Sequence, residues 1–437
     1  MLVTRRQFLK SCATVLPAVA FLPGLFRREI SFPSSVSSNA SSNRTLVIVQ
    51  QAGGNDGLNT VIPYGDGRYY DLRPNIAIPQ QEVITIDREV GFHPNLPKFK
   101  ALWDSGNLAI IEGVGYPLPN FSHFQSMDIW RFADPEVKVG PSRRDGWLGR
   151  YLETFGSGAG IFGGIAVGGM GGRLPAELYS SRVPVPMVES VQLYQLQGDS
   201  RYPLSAAARN ETLVKMYSLQ KDAPYRQFLN GTFDAAYATS AAIVRADKFY
   251  NPAVVYPDTS LGKGLKIIAE AIVADLGVKV GHVTLGGWDT HASQKPDHVK
   301  LLRTLSEAVS AFYEDLKSHG KDADVVTMTW SEFGRRAKSN ASDGTDHGTA
   351  VPVFVIGTPV KGGFYGERPN LGNLSADNLR YTTDFRSVYA TVLEKWLDAP
   401  SVDILGKQFE TLPIFKTAAA GRGPGNEGKD AEYALLG

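Results

Sequence analysis

Four short stretches of this 437-residue chain combine carboxylates, imidazoles and a hydroxyl at close spacing. They are Gly53-Gly-Asn-Asp56-Gly-Leu-Asn59, the pair Ser122-His123, Gly286-Gly-Trp-Asp289-Thr-His291, and Glu332 with the adjacent pair Asp346-His347. Carboxylates suit hard cations and imidazoles favour zinc or manganese. Three aspartates and two or three histidines meeting in one crevice would therefore hold a pair of divalent cations, with zinc, manganese or calcium as candidates. Asp289 with His291 and Asp346 with His347 carry this reading most directly, because only seven histidines exist and two of them lie within two residues of an aspartate in a strand-exit loop.

Each stretch also has a plainer reading. Asp56 in a Gly-Asn-Asp-Gly turn suits a turn former. Ser122 suits a helix N-cap, a position where helix-terminal N–H groups would equally favour a nucleophile attacking a phosphoryl or sulfuryl group. His291 and His347 could be satisfied by backbone carbonyls. His282, His298 and His319 read as structural or solvated. Arg335, Arg336 and Lys361 suit either an anion contact or surface charge.

The elements that must position these residues follow from hydrophobic pattern. Thr45–Gln50, Leu108–Val114, Lys279–Leu285, Asp324–Trp330 and Val351–Gly357 are short, continuous, β-branched-rich apolar runs, as expected of strands buried on both faces. Shorter strands are expected at Glu82–Ile86, Ile161–Gly169 and Pro184–Val191. Helical spacing marks His93–Trp103, Ser122–Phe132, a helix from Gly146, Leu261–Leu276, Asp297–His319 and Asp384–Trp396. Alternating strands and helices predict an α/β fold, a mostly parallel sheet covered on both faces. In such a sheet the carboxyl ends of the strands share one edge, and the four polar stretches follow strands or open helices there. Residues 195–260 change character to alanine-rich helix and read as an inserted cap. The main domain is expected over 44–400, with a tail at 401–437.

Composition bounds the partners. The chain is 43% hydrophobic and 20% charged, ample for a large core. Arg5, Arg6, Lys10, Arg27 and Arg28 face only Glu29 within residues 1–40, and without that stretch the net charge falls from +1 to −3. There is no basic footprint for nucleic acid. Thr4-Arg-Arg-Gln-Phe-Leu-Lys10 followed by a mildly apolar run to Leu25 fits a twin-arginine export signal, read by the twin-arginine translocation machinery. Export implies a periplasmic or extracellular location, with membrane anchoring if the leader stays uncleaved. Cys12, the single cysteine, lies in that leader. No thiol nucleophile or thiolate ligand is therefore expected in the exported part.

The motifs Gly53-Gly-Asn-Asp-Gly-Leu-Asn, Asn120-Phe-Ser-His-Phe, Gly287-Trp-Asp-Thr-His, Ser331-Glu-Phe-Gly-Arg, Thr345-Asp-His-Gly and Lys361-Gly-Gly-Phe-Tyr-Gly resemble a twin-arginine-exported bacterial family designated domain of unknown function 1501. That family is similar to the superfamily of alkaline phosphatases, sulfatases and cofactor-independent phosphoglycerate mutases. The resemblance implies an alkaline-phosphatase-like sheet between helices and a two-metal site. It implies Asp56, Asp289, His291, Asp346 and His347 as metal ligands, Ser122 as nucleophile with His123 beside it as a further catalytic residue, and Glu332 as orienter or base. Two departures stand out. Only Thr290 separates Asp289 from His291, and no histidine follows His347, so either His123 or His93 would fill that place or one metal site is lost. There is no Cys/Ser-x-Pro-x-Arg run of the kind sulfatases convert to formylglycine. The implied activity is metal-dependent hydrolysis of a small phosphate or related ester. The competing implication is a catalytically degenerate metal-binding or envelope-assembly protein. A redox role has no Gly-x-Gly-x-x-Gly after the first strand and no cysteine ligand in the exported part to support it.

Overall fold

The computed structural model describes residues 43–137, 145–156, 162–168, 172–191 and 226–416, with isolated positions from 194 to 216. The expected export leader, the last residues of the tail and most of the first half of the expected helical insertion lie outside the described residues.

One nine-stranded sheet organises the chain. Its strands are β1 (Thr45–Ala52), β2 (Leu108–Gly115), β3 (Gly164–Val167), β4 (Met187–Val188), β5 (Val280–Gly286), β6 (Val325–Trp330), β7 (Val351–Ile356), β8 (Gly363–Tyr365) and β9 (Thr383–Asp384). Their order is β8-β2-β7-β6-β1-β5-β3-β4, with β9 also paired to β2. β1 pairs in parallel with both β5 and β6, and β3 pairs in parallel with β5 and β4. Only β7 runs against its neighbours, antiparallel to β2 and β6. The sheet is thus mixed but mostly parallel, as the run of apolar segments predicts.

Every residue of β1 and β2 is buried, which explains why these strands read as unbroken apolar runs rather than alternating ones. Alternation reappears in what each side chain meets. Val47 and Val49 join one core layer, and Leu46 and Ile48 join the other. The first layer is covered by α2 (Pro97–Asp104), α6 (Ser260–Val273) and α7 (Gln294–Ser318). The second is covered by α3 (His123–Phe132), α4 (Trp147–Thr154) and α8 (Phe385–Lys395). α1 (Gly67–Leu72) and a small sheet of Val61–Ile62, Ile84–Thr85 and Gly91–Phe92 pack beside the main sheet over a third cluster around Ile62 and Tyr69. α5 (Arg226–Phe249) lies within the stretch expected as a helical insertion. Residues 401–416 pack back onto the second layer through buried Ile404 and Ile414.

Local chemistry sets several boundaries. The helix expected from His93 starts instead at Pro97, because Pro fits the first helical turn, where no N–H is needed. Asp384 caps α8, its carboxylate accepting from Arg386 N at 2.9 Å. Ser122 occupies the N-cap position of α3 but makes no side-chain capping bond, so its hydroxyl is not committed to the helix.

Candidate metal centre

The carboxyl ends of β1, β2, β5 and β6 and the start of β7 lie on one edge, because β7 alone is reversed. The loops leaving that edge are the ones that carry the polar stretches. β1 turns out through Gly53 (φ +126°) and Gly54 (φ +87°), backbone conformations that favour glycine. A Cβ on Gly53 would lie 2.5 Å from Asp289 N and 2.8 Å from Trp288 C. The first loop therefore packs backbone to backbone against the loop that holds Asp289.

Asp289 is the centre of the arrangement. Nε2 of His291 and Nε2 of His347 each lie 3.0 Å from its Oδ1, and Nε2 of His123 lies 3.4 Å from its Oδ2. The two Nε2 atoms of His291 and His347 are 2.9 Å apart. His123, Asp289 and His347 each offer a ligand atom, and these atoms lie within 4.8 Å of one another.

The outer nitrogen of each ring decides what the inner one can do. His347 Nδ1 lies 2.7 Å from the Phe121 carbonyl, which only accepts, so the proton belongs on Nδ1. His123 Nδ1 lies 2.8 Å from Glu332 Oε1, and His291 Nδ1 lies 3.3 Å from Asp346 Oδ1. In their neutral forms all three rings therefore donate outward and present a bare Nε2 lone pair to the Asp289 carboxylate. Ligating histidines are oriented in this way, by a carboxylate or carbonyl behind the ring.

The electrostatics describe the other case, in which a proton on Nε2 faces the carboxylate. Burial pushes the Asp289 carboxyl up, but the contacts with His347 and Arg335 outweigh it and hold the group well below the usual carboxylate range. The hydrogen bond to Glu332 raises the pKa of His123. Burial lowers that of His347. Asp346 is held low, chiefly by the Asn340 amide. Asp289, Asp346 and His291 keep 46%, 48% and 44% of their side chains exposed, so the cluster opens to solvent on one side.

A buried guanidinium fixes the loops. Arg335 donates to Gly54 O (2.8 Å), Thr345 O (2.8 Å), Trp288 O (2.9 Å), Gly53 O and Asp289 Oδ1 (2.7 Å). One side chain thereby ties together the loops after β1, β5 and β6. Arg335, expected as an anion contact or a surface charge, is buried, and the anion it meets is the Asp289 carboxylate; its carbonyl partners leave no trace in residue identity. Asn340 and Gln294 carried no signal in the sequence either. Asn340 donates to Asp346 Oδ1 and to the His291 carbonyl. Gln294 Oε1 accepts from Thr345 and Thr290 hydroxyls at 2.6 and 3.2 Å.

The remaining candidate residues fall as follows. Glu332 is fully buried behind His123, its Oε1 also accepting from Gly53 N at 2.8 Å. Ser122 is exposed beside His123 at the start of α3. Asp56 is buried and faces other partners: Arg73 Nη1 at 2.6 Å, and the Gln294 amide. His93 lies against His298, ring centroids 5.9 Å apart, while His123 stands at Asp289. His298, read as structural or solvated, is structural: it is 2% exposed, with Nε2 3.2 Å from Asn55 Oδ1. Gln294, His298, Leu301, Leu302 and Leu305 belong to the buried face of α7, and their helical spacing was the available signal. His282 pairs with buried Glu177 at 2.7 Å inside the sheet.

Comparison with known proteins adds a family and a set of distant folds. A family model described as "Protein of unknown function (DUF1501)" matches residues 138–397. No curated protein matches the sequence. Among solved structures, the lipoteichoic acid synthase LtaP from Listeria monocytogenes is 10% identical over 76% of this chain and 69% of its own, with a TM-score of 0.33. The PsFucS1 sulfatase from Pseudoalteromonas sp. is 13% identical over 83% and 68%, with a TM-score of 0.36. A TAB5 alkaline phosphatase mutant with magnesium bound is 10% identical over 72% and 91%, with a TM-score of 0.34. Scores this low set the folds side by side and carry no argument about chemistry.

Proposed function

We propose that this chain, which belongs to the DUF1501 family, is an exported metal-dependent hydrolase acting on a phosphate or related ester. One observation carries the reading. Three imidazoles, each donating its Nδ1 proton outward, turn bare Nε2 atoms onto a single carboxylate at 3.0 to 3.4 Å. Lone pairs facing a carboxylate at that distance repel unless a cation or extra protons stand between them. Three nitrogens and one carboxylate oxygen form a donor set suited to zinc or manganese.

His123, His291, His347 and Asp289 would hold the cation, which supplies Lewis-acid polarisation of an ester oxygen. His123 thus moves from the catalytic role expected for it to a ligand role, with Glu332 behind it as orienter. Asp346 orients His291 through its outer nitrogen. Ser122, exposed next to His123 with its hydroxyl free of the helix cap, is the nucleophile of this reading, flanked by the N–H groups that open α3. Arg335 keeps the three loops in register, and the solvent-open side of Asp289 is the way in for a small ester. The twin-arginine leader supports delivery of the folded chain across the membrane. Among the described residues no helix is long and apolar enough to cross one.

Purified protein is loaded with zinc, manganese or calcium, desalted and assayed for bound metal. It is then screened on aryl phosphate, phosphodiester and sulfate ester substrates. Stoichiometric metal lost in Asp289→Ala, with turnover lost in Ser122→Ala, is the expected result. Absence of bound metal in the wild type sinks the reading. A second reading, a metal-holding protein of envelope assembly without turnover, draws on the commitment of Asp56 to Arg73. Bound metal with no turnover of any substrate class would favour it.

A further inference from the structure

We infer that the centre is mononuclear, and that the Arg73 guanidinium stands permanently where a second cation would need Asp56. This rests on the proposal that the Asp289 cluster holds a cation, and goes beyond it by fixing the number.

The sequence offers Asp56 as a third aspartate for a cation pair. The structure gives it a different neighbourhood. Both the Asp56 and Arg73 side chains are fully buried, with Nη1 to Oδ2 at 2.6 Å. Arg73 uses its other donors as well, to Asn59 Oδ1 (3.0 Å), Ala337 O (2.8 Å) and Arg336 O (2.9 Å). It cannot swing away without stranding four acceptors. Burial pushes the Asp56 carboxyl up, but the charge and hydrogen bond of Arg73 outweigh this and hold it below its ordinary value. Among the described residues Asp56 Oδ1 has no hydrogen-bond partner. A dication placed on it would share one carboxylate with a guanidinium in a low-dielectric setting, where like charges repel most strongly.

Asp56 instead serves the other site as a positioning residue. Its Oδ2 also accepts from the Gln294 amide, and Gln294 Oε1 holds the hydroxyls of Thr290 and Thr345. Those threonines adjoin Asp289 and Asp346 in the sequence. The arginine–aspartate pair is thus a fixed charge pair from which Gln294 reaches the two ligand loops. None of the side-chain partners of Asp56 belongs to the Asp289 cluster.

The test is a count. The full chain is loaded with excess zinc or, separately, manganese, freed of loose metal, and analysed by elemental analysis and native mass spectrometry. One equivalent per chain is expected for the wild type and, bound more weakly, for Asp56→Asn, and none for Asp289→Asn, with circular dichroism confirming that each variant is folded. Two equivalents in the wild type overturn the inference while leaving the Asp289 cation standing. No equivalents overturn both. Should Asp56→Asn fail to fold, the wild-type count alone decides between one and two.

Discussion

Replacing Glu332 by glutamine tests whether the carboxylate behind His123 tunes the centre. Oε1 of Glu332 accepts from His123 Nδ1 and from Gly53 N, each at 2.8 Å, in a fully buried position. The glutamine side chain is close in shape, and its amide oxygen can accept the same two bonds, so the ring should keep its orientation. What disappears is the charge. A charge-assisted hydrogen bond is roughly twice as strong as a neutral one. Loss of such a partner behind a ligating histidine typically weakens metal binding by about 10- to 100-fold, or about 1.4 to 2.8 kcal/mol. The same change should lower the pKa of His123 in the metal-free protein, since the hydrogen bond to Glu332 is the main cause of its elevation. Zinc affinity is measured by competition with a chromophoric chelator near neutral pH, and the His123 titration by NMR on metal-free protein. A Glu332→Gln protein that is folded yet matches the wild type in both readouts would refute the reasoning. A fall in affinity with His123 unchanged would also refute it, because the two effects share one cause.

Three further predictions follow from the geometry. Metal affinity should fall as pH drops, beginning above the ordinary imidazole value of 6.5. His123, raised by Glu332, takes up a competing proton first, whereas half-buried His347 yields later; calorimetry in buffers of different ionisation enthalpy should show proton release that vanishes at alkaline pH. Arg335→Lys keeps the charge but offers three donors for the five partners that the guanidinium meets. Leaving two acceptors unmet should destabilise by about 2 to 4 kcal/mol, visible as a lower denaturant midpoint. Burial depresses His93 to about 3 and His298 to about 4, from 6.5. The unfolded chain binds these protons from 6.5 downwards while the folded chain does not, so stability is complete above that value and is lost as pH falls towards 4. The slope approaches about 1.4 kcal/mol per pH unit for each histidine, and His298→Gln should flatten it in pH-dependent urea titrations.

How legible the centre was in the sequence depended on whether a residue acts through its own type or through its neighbours' backbone. β1 and β2 were readable because burial on both faces leaves few polar positions to interrupt the run. β7 was readable as a strand but not as a reversed one, since direction depends on the path of the loop rather than on side-chain pattern. Asp289, His291, Asp346 and His347 were readable as a group because short spacing in strand-exit loops is itself a geometric statement. The proper place of His123 was not, because it arrives from the far side of β7, on α3, and its partnership with Asp289 spans 289 − 123 = 166 positions of chain. Arg335 and Arg73 were least legible of all. Six of their nine hydrogen bonds end on backbone carbonyls, and a carbonyl has no letter in the sequence. The two arginines place one positive charge on Asp289 and one on Asp56 before any metal binds. At Asp289 the guanidinium shares Oδ1 with Nε2 of His291 and of His347 and leaves Oδ2 facing His123, so three imidazole nitrogens still converge on one carboxylate. Asp56 has no imidazole hydrogen-bonded to its free oxygen. The same kind of residue therefore meets a solvent-open carboxylate in one loop and a fully buried one in the next, and the difference lies in whether imidazole nitrogens contact the carboxylate directly, since His298 and His93 reach Asp56 only through their charge.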